Sequence, residues 1–369
     1  MKLNSFLLPV SAFCACFTAL AWPVEIPLGE ESLLGLRDCV ELADGSVVLS
    51  LAGPFEDPVI ACFDTDGQVL WQKKVLERGG SSRAFESGGY LVPLEDGFAA
   101  AFHSEPRATG VNTDVAVIRM NGSGDVLWTY VLGLEDELNW MCRDLILCRD
   151  GGLLVTGCPG TMLPGGYAFK LSSEGALQWI TPSDVIEGFL YTAVELPDGD
   201  FLCLTEEYSG TLTLQLISID GAILDRIEVL SDGLLEADDI HLVNGSPWVS
   251  FSYGNGFMDA FRLDGEFAVD RAVSAVFPSG VQVRFLDMSE KGFLVAGNLE
   301  DDGFLAIACP DGRVIWQDTV DTGGDEVFDG AFFKDDGILA YGSVFDQYGM
   351  TSSVLVDFRD VPESINLPD

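Results

Sequence analysis

Histidine and positive charge are what this chain has least of. Two histidines stand in 369 residues, and Lys plus Arg number 19 against 59 Asp plus Glu, a formal net charge of −40. A surface so acidic repels phosphate backbones, so nucleic acid is excluded as an expected partner and anionic membranes are disfavoured. No apolar run after the first residues reaches the ~18 residues of a membrane-crossing helix. There is no vicinal Cys-Cys pair, no Cys-x-x-Cys and no paired histidine, which removes structural zinc. No G-x-S-x-G falls in a strand–turn–helix context, and a serine triad would have to use His103 or His241, which lie in different repeats.

Hydrophobic residues make up 48% of the chain and glycines number 41. That composition can fill a core and supply many tight turns. Residues 1–21 read as a signal peptide: Lys2, an apolar run from Ser5 to Phe17, then Ala19-Leu20-Ala21 as a small-x-small cleavage site. Phe13 before Cys14 argues against a lipid anchor there. The mature chain is expected to start at Trp22, secreted or periplasmic. Its seven remaining cysteines are an odd number in a long chain, so they read as small buried hydrophobes and not as a disulfide framework. Cys142 and Cys158, which could face each other across one hairpin, are the one pair to name.

A turn with a polar residue before glycine recurs between apolar runs. It stands at Asp44-Gly45, Asp96-Gly97, Asp150-Gly151, Asp198-Gly199, Asn244-Gly245, Lys291-Gly292 and Asp336-Gly337. The seven anchors lie about 45 to 54 residues apart. Asp-Gly and Asn-Gly are strong hairpin signals, because a type I′ turn needs positive φ at both central residues. A second anchor follows in each unit: Gly67 then Trp71, Gly124 then Trp128, Gly175 then Trp179, Gly312 then Trp316, with degenerate copies at Gly221–Asp225 and Gly265–Val269. Between the anchors sit runs such as VIACF and YAFKL. Four short strands per unit at this period predict a β-propeller blade, and seven anchors predict seven blades.

The last unit has no Gly-x-x-x-Trp strand, whereas Trp22-Pro-Val-Glu-Ile resembles the outer strands of the others. The fold expected is therefore all-β, a single seven-bladed propeller over 22–358. Four antiparallel strands form each blade, and residues 22–28 close the ring by pairing into blade seven. Residues 359–369 form a short polar tail. The longest connections, 76–88, 103–113 and 132–141, are where added function would sit.

The motifs DGGLLVTG, AFKL and GALQW, with VIRM and GDVLW in blade two and KGFLVAG and GRVIW in blade six, resemble the repeat of secreted bacterial propellers of the quinoprotein-like and WD40-like group. The resemblance covers about 22–358. It implies that the Trp and Gly residues pack neighbouring blades and shape turns. Members of that group include scaffolds, binding modules and quinone-dependent dehydrogenases, so fold does not select a function. The dehydrogenases would require a Cys-Cys pair, which this chain lacks.

Two sets of residues are candidates for chemistry. Asp64 and Asp66 place alternate carboxylates on a turn, and Asp318, Asp321, Asp325 and Asp329 cluster before blade seven; both suggest calcium weakly, and neither completes a ligand set. Ordinary Asp-Gly turn chemistry accounts for the first equally well. Aligning the first strands on their anchors gives the second set. Arg37, Arg143, Tyr191 and Arg284 stand eight residues before the glycine of their anchors and Asp238 seven before its own, in the innermost strands, and so ring one mouth of the central channel. An arginine fork suits carboxylate or phosphate. One reading is an anion-binding mouth for a carboxylated peptide or acidic sugar. The other is that Arg37 and Arg143 pair with acids of neighbouring blades. The function expected is an exported, monomeric, non-enzymatic binding or scaffold module with a protein or carbohydrate partner on one face. The alternative is a hydrolase or lyase acting on a glycan or other polymer through carboxylates near the channel.

Overall fold

The structure, a computed structural model, describes residues 24–26, 35–52, 58–75, 83–106, 114–132, 140–159, 165–181, 185–207, 211–230, 236–252, 256–289, 291–321, 325–334, 337–346 and 349–358. The expected signal peptide, the tail 359–369 and most of the three long connections lie outside them. The described residues form seven four-stranded antiparallel sheets and no helix, so no helix is long and apolar enough to cross a membrane.

The innermost strands are Gly35–Glu41, Arg83–Leu94, Trp140–Leu147, Phe189–Glu195, Glu236–Val243, Val281–Ser289 and Asp325–Phe333. Neighbours in this series adjoin all the way round, with the seventh meeting the first. Six sheets are built from consecutive strands. The seventh takes its outer strand from the other end of the chain: Val24–Ile26 pairs antiparallel with Gly349–Phe358, Val24 opposite Leu355 and Ile26 opposite Ser353. The ring is closed as expected, and the edge that blade seven would expose is covered.

The core lies between blades. Third strands such as Val59–Phe63 and Tyr167–Leu171 are buried at every residue, on both faces. Seven apolar clusters result, each shared by two consecutive sheets. Ala99 and Val117 pack with Leu153 and Phe169 between blades two and three, and Leu49 and Phe63 pack with Leu339 and Leu355 between blades one and seven. Apolar side chains on facing sheets interdigitate, so each blade is stable only against its neighbours.

The turns differ in detail from the type I′ expectation. At Gly45, Gly151 and Gly199 only the glycine has positive φ, and its N–H donates to the carbonyl three residues back. These are three-residue loops with the glycine in the left-handed position. Among the described anchor turns, Asn244-Gly245 alone has positive φ at both residues, 51° and 78°. In the second turn of blade five the left-handed residue is Phe267, at φ 60°, and not Gly265. There the Phe267 side chain packs on the cluster between blades four and five, which compensates the backbone strain.

All seven described cysteines are buried and free. Cys158 pairs with Met141, and Cys142 with Gly157. A one-residue offset sends the two thiols to opposite sheet faces, which separates the pair named from sequence.

Candidate functional site: the channel mouth and its acid belt

Every innermost strand is interrupted at one shared place, and that of blade two a second time, between Phe85 and Ser87. The register skips a residue at Arg37, Gly89, Arg143, Tyr191, Asp238, Arg284 and Asp329. Each is the extra residue of a β-bulge, a device that re-aims a side chain at a sheet edge. The positions matched in sequence are thus one structural position repeated seven times. Blade five is offset by one residue because its two-residue turn is shorter than the three-residue turns of blades one, three and four.

Arg37 and Arg284 are exposed and Arg143 is half-buried. None of the three forms an ion pair among the described residues, although other arginines do, as Arg119 with Asp96 and Arg262 with Asp270. Arg143 lies 5.7 Å over the Tyr191 ring, and its Nε donates to Cys158 Sγ at 3.4 Å. The Tyr191 hydroxyl donates to Glu206 Oε2 at 3.0 Å. Asp329 takes a 3.1 Å hydrogen bond from Ser343; burial pushes its carboxyl up, and the nearby charges of Arg284 and Arg37 oppose this. Asp238 occupies the bulge of blade five, with its side chain outside the described residues. Between Arg37 and Arg143, blade two places Gly89. A Cβ there would lie 2.6 Å from Ser50 Oγ and 3.2 Å from Arg37 Cβ, so the gap admits no side chain.

His103 was expected to head a loop. It lies instead within the second strand of blade two, Gly97–Pro106, opposite Ser87 and Val115. It is 4% exposed, and neither ring nitrogen has a hydrogen-bond partner. Burial, then the charges of Arg143 and Arg37, push it down to about 4, so the ring is neutral. His241 sits in the innermost strand of blade five as expected, with Nδ1 3.5 Å from Asp287 Oδ1.

One residue past the bulge, three of the seven innermost strands carry an acid that did not stand out among the candidates: Asp38, Asp144 and Asp239. Asp38 Oδ1 accepts from Cys39 N–H at 2.7 Å and from the Tyr341 hydroxyl at 3.0 Å, and Oδ2 accepts from Leu91 N–H at 2.7 Å. It therefore ties blades seven, one and two. Burial outweighs these three donors and raises Asp38 to about 6. Asp144 and Asp239 both approach the Thr192 hydroxyl, at 2.6 and 3.0 Å. About a third of the Asp239 side chain stays accessible (35%), as does that of Asp287 (31%), which stands three residues past the bulge of blade six. The signal was present in sequence: Asp38 and Asp144 directly follow Arg37 and Arg143.

Elsewhere, Asp64 Oδ1 accepts the N–H of Asp66 and of Gln68, as a turn carboxylate does. Asp302, Asp321 and Glu326 bring oxygens within 4.8 Å of one another, three of the roughly six to eight that calcium takes. The turn ends of the innermost strands of blades seven, one, two and three border an open hollow of about 490 Å³, lined by Glu41, Leu94, Leu147, Phe333 and Lys334 among others.

No family model matches the chain, and no curated protein matches it. Solved structures do. YCF48 bound to D1 peptide aligns with TM-score 0.56 and 12% identity over 92% of this chain and 95% of that one. A putative 6-phosphogluconolactonase from Bacteroides fragilis aligns at 0.53 and 15%, over 77% and 84%. A prolyl endopeptidase aligns at 0.54 and 16%, over 88% of this chain and 47% of that one. The shared feature is the fold. This chain is a seven-bladed β-propeller.

Proposed function

We propose that this propeller is an exported binding module whose channel mouth captures a carboxylate-bearing ligand presented by a protein or carbohydrate partner. One observation carries the reading: three arginines stand at the same bulge in a chain of net charge −40, and none forms an ion pair among the described residues. What sets these three apart from Arg149 and Arg271, which also lack an ion pair but donate to backbone carbonyls of the next blade, is their shared bulge position, and a guanidinium fork is built to grip carboxylate. YCF48, alike in fold, is a protein bound to a peptide. Export draws on the signal-like residues 1–21, and the acidity suits a soluble monomer.

The reading is tested with an oligogalacturonate and an acidic peptide as probes. Arg143→Ala with Arg284→Ala should abolish capture and leave melting nearly unchanged. A large loss of stability with capture intact would assign the arginines to the scaffold instead. The hydrolase or lyase alternative draws on Asp144 and Asp239, which converge. Both carboxylates are already engaged by Thr192 and by the N–H groups of Leu145 and Ile240, which leaves them little to offer a substrate.

A further inference from the structure

Asp144, Thr192 and Asp239 stand on three successive innermost strands, each one residue past its bulge. Thr192 Oγ1 lies 2.6 Å from Asp144 Oδ2 and 3.0 Å from Asp239 Oδ1. A hydroxyl carries one hydrogen and can donate to one of these oxygens only. The other short contact is attractive only if that carboxyl brings a hydrogen of its own. Two ionised carboxylates so close would also repel each other.

We propose that Asp144, Thr192 and Asp239 share one proton at neutral pH as a clasp across blades three, four and five, and that releasing it weakens anion capture at the adjoining arginine mouth. The clasp stands on its own geometry; its effect on capture rests on the function proposed above.

The surrounding groups decide where the proton sits. Asp144 follows Arg143 in sequence and faces Asp38 from blade one and Tyr90 from blade two; burial and the charge of Asp239 push it up to about 7. Asp239 is raised by burial and by Asp287, but His241 favours its ionised form, with Nε2 4.0 Å from Oδ2. Ser250 Oγ borders His241 at 3.5 Å, and Tyr191 with Glu206 flanks Thr192. The proton therefore rests on Asp144. Its hydroxyl donates to Thr192 Oγ1, and the Thr192 hydroxyl donates to Asp239 Oδ1. When Asp144 loses the proton, Thr192 can serve only one carboxylate. The other is repelled, and a full negative charge appears on the residue that follows Arg143, where its field opposes an anionic ligand at the mouth.

The test has two arms. The first is infrared spectroscopy of the carboxyl carbonyl stretch. Near pH 6, where exposed carboxylates are ionised, wild type minus Asp144→Asn should show a protonated-carboxyl band that titrates away around pH 7. Carboxyl-carbon NMR of Asp144 in the wild-type chain reads the same proton if the variant fails to fold. A carboxylate signature for both Asp144 and Asp239 near pH 6 would overturn the clasp. The second arm measures oligogalacturonate capture against pH. Wild type and the exposed-charge control Asp198→Asn should bind roughly five-fold more weakly well above pH 7 than below it, as one added charge at close range requires. D144N should show no such change. The same pH dependence in D144N would overturn the gating. Absence of capture by wild type at every pH would instead overturn the anion reading, and the gating with it, while the infrared arm still decides the clasp.

Discussion

Trp128 of blade two lies flat against Gly175 of blade three. A Cβ on Gly175 would stand 2.6 Å from Trp128 Cδ2, and the Trp128 indole N–H donates to Ser173 O at 3.1 Å. The same relationship joins Trp71 to Gly124 and Trp179 to Gly221, where the Cβ would fall 2.9 and 2.7 Å from the indole. Blades one to four are thus pinned in series by a ring pressed on a turn that can carry no side chain. The pattern lapses where Asp225 and Val269 replace tryptophan.

Gly175→Ala should be costly for two separable reasons. Its φ of +81° strains an alanine, and its Cβ collides with Trp128. Together these predict a loss of roughly 2–4 kcal/mol. Gly245 has a similar φ of 78° but open space around it. Gly245→Ala should cost only about 1 kcal/mol. Chemical denaturation of both variants measures the difference, and equal costs would show that Trp128 yields freely.

Tyr341→Phe removes the hydroxyl that joins blade seven to Asp38 of blade one. Asp38 retains its two N–H donors, so a loss of about 1 kcal/mol is expected in denaturant titration. Deleting residues 22–28 should lower stability far more, because it strips the strand that pairs with Gly349–Phe358 and bares an edge. A deletion variant that melts like wild type would contradict closure by that strand.

His103→Leu should raise the melting temperature, since a buried imidazole with two unmet nitrogens gives way to an apolar side chain of similar size. The same variant should leave capture of the anionic probe unchanged, because both ring nitrogens are buried; lost capture would place His103 at the ligand site.

Stability should respond to pH in opposite senses at two residues. Asp38 titrates near 6 in the folded chain against 3.8 unfolded. Between about pH 4 and 6 the native state keeps a proton that the unfolded chain has released, so stability falls as pH rises through that window. His103 titrates near 4 against 6.5 unfolded. There the unfolded chain holds the extra proton, so stability falls as pH drops from about 6.5 to 4. Melting curves of Asp38→Asn and His103→Leu, each subtracted from wild type across this range, should slope in opposite directions.

Export is checked at the N-terminus. Mass spectrometry of secreted material should find Trp22 first, and an acylated Cys14 or Cys16 would mean a lipid anchor.

The seven-fold count, the hairpins and the borrowed closing strand were legible in the order of residues. Each depends on short-range signals: a glycine after Asp or Asn, an apolar run, a Gly-x-x-x-Trp step. Alignment of those signals brought six of the seven bulge residues into register without marking them as bulges, because every blade repeats one backbone path; in blade five the shorter turn shifts the bulge by one. Turn type was not legible, since Asp-Gly suits both the type I′ turn and the three-residue loop that the strands select. What only the folded ring decided is the electrostatics of the channel. Asp144, Thr192 and Asp239 lie about 48 residues apart in sequence and within hydrogen-bonding reach in space. Whether a carboxyl keeps its proton, or an arginine finds an acid, depends on enclosure and on partners from other blades. Those are set by the packing of sheets against one another and have no local mark in the chain.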